Sequence, residues 1–422
     1  MAALALDRAP QASLPLEFLR MSPVWGVLAA ALLLQQGELL FASRWAPATI
    51  AFVHAFTLGV MGNTMLGSLL QFLPVVADTR PRLGRFDRGL AVAYNLGVLT
   101  LLAGLLRWPM LLAPAGLILA TALSVFALGA LAGIRFDGKQ SLLRAGLALS
   151  LLMLLTTAIL GLVLTLGLSG RIVVPLTMLT DIHAATGVLG GGVLLAASVG
   201  SVVLPMFQGT PRVPGKWLAI WMVGHLGALV LALALRWTER PGAMSIVLAL
   251  QLAAFASGTL VLQAHATKRR NPTLVRFWRL GAVALLLAAL LAIAAPLLPD
   301  ANLSAIIGVL VIAIGLPALV LGMGLEINAF LAWLQLQDTR QRGQRVPSVD
   351  VLLPEQTKSR LFWLHLIAAV ALLLAAAWPH AIVVRLAGAL LALAYATTTL
   401  ELFALYRRTQ RFGLQSRVTE AA

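Results

Sequence analysis

The feature that most constrains this chain is a succession of apolar runs, each about twenty residues long, divided by short connections rich in Arg, Pro and Gly. At 1.5 Å of rise per residue, roughly twenty apolar residues cross the hydrocarbon core of a bilayer. No water is available there to satisfy backbone N–H and C=O groups, so such runs fold as helices that close their own hydrogen bonds. The spacing predicts twelve spans, at approximately 22–41, 47–76, 89–106, 109–134, 143–168, 174–206, 217–236, 243–266, 278–298, 302–335, 360–378 and 381–405. The second, sixth and tenth exceed what a crossing requires, which predicts tilt or an interfacial extension. The longest polar connection, from Gln337 to Ser359, is a loop with room for one short interfacial helix. The expected fold is therefore all-α, a single polytopic transmembrane bundle over residues 1–422, with the lipid bilayer as its first partner.

Composition bears this out. Hydrophobic residues make up 60% of the chain and charged residues 11%, where a soluble domain would carry about 25%. The net charge of +16 would suit nucleic acid, but its placement argues against that. With the N-terminus inside, 25 of the 31 Lys and Arg residues fall on cytoplasmic segments and 6 on the other side. That asymmetry is the positive-inside pattern, and it puts both termini in the cytoplasm. The clusters Arg80-Pro-Arg-Leu-Gly-Arg85 and Lys268-Arg-Arg270 read as topology anchors facing anionic lipid. No soluble domain presents a nucleic-acid surface, so no nucleic-acid partner is expected. The absence of cysteine excludes thiolate metal sites, cysteine-ligated iron–sulfur clusters and covalently attached haem. Residues 1–20 contain Asp7, Arg8, Glu17 and Arg20 and lack a signal-peptide core, so the first span is expected to stay in the mature protein.

Two spans resemble each other. The second reads His54-Ala-Phe-Thr57-Leu-Gly59-Val-Met-Gly62 and continues to Leu73-Pro74. The sixth reads His183-Ala-Ala-Thr186-Gly187-Val-Leu-Gly190 and continues to Leu204-Pro205. His54 stands 20 residues before its proline and His183 stands 22 before its own. Both spans run outside to inside, so the two histidines are expected at one depth, in the outer half of the membrane. Such a correspondence is the mark of a parallel repeat; chance matching in a Gly/Ala/Leu alphabet is the alternative.

Ionisable groups inside membrane helices are costly and mark function. Of six histidines, His54, His183 and His225 lie well inside the second, sixth and seventh spans. Neutral imidazole ligates iron and copper, and haem iron takes axial histidines from facing helices. A bis-histidine b-type haem held by His54 and His183 is the expectation, with Gly59, Gly62, Gly67, Gly187, Gly190, Gly191 and Gly192 standing back to admit the porphyrin. The competing reading is that these small residues mediate ordinary helix packing. His225, in Gly224-His-Leu-Gly227, is expected as a third haem or metal ligand (copper included) or as a proton-handling group. His265, His365 and His380 sit near span ends and read as interfacial. Among the acids, Glu326 is the deepest and is expected to face His365; Asp181 and Glu38 are expected at the outer surface, and Glu401 in an ion pair with Arg407 or Arg408.

Twelve spans with the N-terminus inside, an early histidine in the second span followed by Gly-rich sequence and Leu-Pro, and histidines in spans six and seven resemble the catalytic subunit of haem–copper oxidases. The pattern is also similar to the NnrS-type haem- and copper-containing proteins linked to nitric-oxide response. His54 to Pro74 is the closest stretch, and elsewhere the resemblance is topological. It implies that His54 is a haem ligand, that His183 and His225 are haem or copper ligands, and that the location is a bacterial-type inner membrane. It also implies a role in electron transfer, sensing or nitric-oxide and oxygen stress, with quinol or a respiratory electron-transfer protein as the electron source. The departures are specific. The tenth span has no histidine, the seventh has only His225, Gly187 stands where an oxidase carries Tyr, and the His-x-His-Glu pattern expected of NnrS relatives is absent. Full oxygen- or nitric-oxide-reductase activity is therefore not expected. Two other readings stay open: a secondary transporter, suggested by twelve spans, Pro317 and Glu326, and a cofactor-free assembly partner of a respiratory complex.

Overall fold

Apolar sequence makes the helices of this chain, and proline marks where many of them begin. The computed structural model describes residues 13–83, 89–136, 140–268, 270–298, 303–340 and 345–421. Pro47, Pro109, Pro241 and Pro272 each occupy the first turn of a helix, where the missing N–H would have had no partner. Among the described residues twelve long helices follow in order: α1 (Leu14–Gln36), α2 (Pro47–Val75), α3 (Leu90–Leu106), α4 (Pro109–Leu131), α5 (Ser141–Leu168), α6 (Leu176–Gln208), α7 (Gly215–Trp237), α8 (Pro241–Ala264), α9 (Pro272–Leu297), α10 (Leu303–Asp338), α11 (Glu355–Ala377) and α12 (Ala381–Phe412). Eleven are long and apolar enough to cross a membrane. The twelfth, α3, has 17 residues, the lower limit for a crossing. The chain is an all-α multi-pass membrane protein.

The helices begin and end within a few residues of the expected bounds, except where polar neighbours extend them. The first starts at Leu14, well before residue 22, because its opening turns bury Leu16, Phe18 and Leu19, and the Arg20 guanidinium lies 4.0 Å from the centre of the Tyr406 ring of α12. The polar connection after α10 contains the short helix Val349–Leu352.

The helices form three groups of four, α1–α4, α5–α8 and α9–α12. Each group ends by packing on the start of the next: α4 on α5, α8 on α9, and α12 on α1 to close the ring. The second helix of each group (α2, α6, α10) passes through the middle, and α2 and α10 are the most buried spans. The internal likeness legible between the second and sixth runs thus extends to the tenth.

Each central helix also carries a wide π-helical segment near its middle, Ala55–Gly62 in α2, Thr186–Val193 in α6 and Val309–Gly315 in α10, and α6 has a second at its end, Leu204–Gln208. A π turn shifts the hydrogen-bond ladder and leaves carbonyls in need of donors, and it occurs at functional positions. In α2 the Leu58 carbonyl accepts from the Tyr94 hydroxyl of α3 at 2.7 Å. In α6 the Leu189 carbonyl accepts from His225 Nε2 of α7 at 3.1 Å. The third helix of each of the first two groups therefore caps the π segment of the second.

Candidate functional site

The π segments of α2 and α6 each begin just after a histidine, and those two histidines meet. The rings of His54 and His183 lie with centres 6.2 Å apart and planes 24° from parallel. His54 Nδ1–H donates to its own helix, to Ile50 O at 2.8 Å. His183 Nδ1–H donates across to Thr157 O of α5 at 3.1 Å. A carbonyl can only accept, so each neutral ring must carry its proton on Nδ1 and keep the lone pair on Nε2. Both side chains are half-buried, and among the described residues neither Nε2 has a hydrogen-bond partner. Carbonyl-oriented imidazoles with free Nε2 atoms are the usual form of a metal-ligating histidine.

Residues around the pair hold it in place. Thr186 Oγ1 donates to the Ile182 and His183 carbonyls and accepts from Thr157 Oγ1 at 3.1 Å, tying α6 to α5 next to the ring. Gly161 of α5 faces His183, where an added Cβ would come within 3.3 Å of Cε1. Two residues before His183, Asp181 is clamped between Arg236 Nε of α7 at 2.7 Å and Arg44 at 3.1 Å. Asp181 was expected at the surface; it is instead 13% exposed, and its two guanidinium partners strap α7 and the α1–α2 connection over α6.

The other expected site residues lie elsewhere. His225 does not join the pair. Its Nε2 is committed to the Leu189 carbonyl and its ring stacks on Trp221 at 4.8 Å, so it completes the α6 backbone in the way Tyr94 completes that of α2. Among the described residues no group of three or more His, Asp or Glu could hold a metal ion, so a three-histidine metal centre is not formed. Glu326 does not face His365. It pairs with Lys358 Nζ of α11 at 2.7 Å, both side chains being buried, and Glu355 stands 3.4 Å from the same Nζ. His365 Nε2 instead meets Thr398 Oγ1 at 3.0 Å, with Tyr395 and Phe277 against its ring. Glu401 pairs with Arg360 rather than with Arg407 or Arg408, because one helical turn of α12 points it toward α11. His265 and His380 are exposed at helix ends, as expected, and Glu38 is exposed.

The glycines divide. Trp25 packs onto Gly59, the Tyr94 hydroxyl onto Gly62, Leu19 onto Gly67 and Met153 onto Gly190. These four serve close helix packing and leave no slot. Thr157 Cγ2 also stands close to Gly187, and of the seven only Gly191 and Gly192 retain looser surroundings. The donor pair therefore suits an iron or copper centre, while the expected glycine cradle is largely filled by neighbouring side chains.

Lys358 and the capping roles of Tyr94 and His225 escaped the sequence reading. Lys358 sits in the first turn of its helix, where a cation ordinarily reads as interfacial, and the π segments have no signature beyond the glycines. The sequence matches no protein-family model, and no curated protein is significantly similar to it.

Proposed function

We propose that the protein is an electron-transferring b-type haem protein of a bacterial-type inner membrane, with both termini cytoplasmic and with His54 and His183 as the axial ligands of one iron. The observation that carries this reading is the separation of the two rings. Metal–imidazole bonds of about 2 Å, with roughly 1 Å from each nitrogen to its ring centre, put the centres of two ligands of one metal about 6 Å apart. The rings of His54 and His183 stand 6.2 Å apart. Bound there, a b-type haem would supply one-electron transfer. The protein's part is to fix both tautomers through Ile50 O and Thr157 O, which leaves a lone pair on each Nε2. Held by both His54 and His183, with His225 Nε2 committed to the Leu189 carbonyl, such a group would pass electrons rather than bind oxygen or nitric oxide. The role that follows is electron passage, fed by a quinol or a respiratory electron-transfer protein, rather than catalysis at the metal.

The test is the visible spectrum of the purified, dithionite-reduced protein. Sharp α and β bands are expected in the wild type and in His225→Leu, and their loss in His54→Ala and in His183→Ala with helical content unchanged. A featureless spectrum from well-folded wild type would overturn the reading, as would full bands in either axial variant.

A further inference from the structure

Below the histidine pair, the three central helices diverge around a cavity of about 310 Å³, closed on its remaining side by Trp278 of α9. Its wall is almost wholly apolar, and none of the described residues lining it is charged. Yet three polar side chains on this wall lack partners: both amide atoms of Gln71, the Ser68 hydroxyl and the Trp278 indole N–H. Gln71 and Trp278 are 6% and 3% exposed. Buried polar atoms are nearly always paired, and each such exception calls for an explanation. Other polar side chains within these helices, such as Asn63 and Thr64, find partners readily. Among the described residues, four of the ten buried side-chain atoms without a partner thus belong to residues lining one space large enough for a ligand.

We propose that this cavity binds the headgroup of a quinone-class molecule. The chemistry selects it in three steps. With no cation on the wall, a carboxylate or phosphate would be buried uncompensated. A plain hydrocarbon would leave the amide, hydroxyl and indole unsatisfied. A neutral, flat ring bearing carbonyl oxygens satisfies both requirements. Its carbonyls accept from Trp278 Nε1–H and the Gln71 amide, and the hydroxyls of its reduced form donate to Gln71 Oε1. An engineered cavity of roughly 150 Å³ holds benzene, so the volume here accommodates a substituted ring. Half-exposed Val76, Phe207 and Phe330 line the end of the cavity nearest the side that the charge asymmetry assigns to the cytoplasm, where an isoprenoid tail can leave toward lipid. Met61, at the other end, follows His54 by seven residues, about 10 Å along a helix. The role as electron donor rests on the haem reading; the binding itself does not.

The experiment titrates full-length protein in detergent micelles with decylubiquinone, read by calorimetry. Saturable binding is expected for the wild type. Gln71→Leu is expected to weaken it at least tenfold while leaving the melting temperature unchanged or raised, since an orphaned amide is removed. Ala196→Trp, which fills the cavity, should abolish binding; if that variant does not fold, Gln71→Leu decides alone. His54→Ala should lose the haem bands and keep quinone affinity, so failure of the haem reading is distinguishable from failure of this one. The proposal is overturned by absence of saturable binding in the wild type, by Gln71→Leu within twofold of it, or by a co-purifying phospholipid that decylubiquinone does not displace.

Discussion

The buried Lys358–Glu326 pair gives the sharpest energetic test of how this bundle is held together. Lys358 is 2% exposed and its Nζ lies 2.7 Å from Glu326 Oε1, joining α11 to α10. A second carboxylate, Glu355, stands 3.4 Å from Nζ and is 40% exposed; its other oxygen accepts from the Thr273 N–H at the start of α9. The two halves of the pair are therefore unequal. Removing the lysine, in Lys358→Met, leaves Glu326 buried with no cation and with Glu355 nearby, the situation that costs about 3–5 kcal/mol. Removing the acid's charge, in Glu326→Gln, leaves Lys358 with Glu355, so only one charged hydrogen bond is weakened, at about 1.5–3 kcal/mol. The double variant Lys358→Met/Glu326→Leu removes both charges and should regain most of the loss, because apolar replacement of a whole buried pair is near neutral. Unfolding by denaturing detergent in mixed micelles, followed by circular dichroism, gives all three differences. The reasoning fails if Glu326→Gln costs as much as Lys358→Met, or if the double variant is no more stable than Lys358→Met alone.

Three further outcomes follow from the packing. His225→Leu removes the side-chain donor to Leu189 O, which keeps the Leu194 backbone N–H, and should destabilise the fold by about 0.5–1.5 kcal/mol, one ordinary hydrogen bond, measured by the same titration, without moving any haem band. Gly62→Ala drives a Cβ into the Tyr94 hydroxyl and should cost about 1–3 kcal/mol as overpacking. Gly224→Ala, with nothing within 4 Å of the added carbon, should be neutral or gain up to about 1 kcal/mol from helix propensity.

Helix number, the unusual length of the second, sixth and tenth runs and the meeting of His54 with His183 were legible in the sequence, for physical reasons; that the long runs take the middle of the bundle was not. Apolar length fixes spans, and rare residues such as His and Pro repeating at similar spacing betray a structural repeat. The third copy was harder to see because α10 has no histidine, and its Leu316-Pro317 falls directly after the π segment instead of far beyond it. The partners of the buried ions were not legible. Glu326 could have met any polar group near its depth; Lys358 and His365 share one face of α11 about 10 Å apart along it, and the level at which Glu326 meets that face chooses Lys358. His225 misled for a related reason: an imidazole that repairs a π-helical carbonyl and one that waits for a metal are the same residue in an apolar run. The glycines were equally ambiguous, since a residue without a side chain signals close approach without saying whether a neighbour or a cofactor approaches.

The central claim is that His54 and His183 occupy both axial positions of one haem iron, and addition of carbon monoxide to the dithionite-reduced protein tests it most directly. One haem per chain is expected, with a spectrum that carbon monoxide leaves unchanged in the wild type. Carbon monoxide binding to the wild-type haem, or absence of haem from folded protein, would contradict the account.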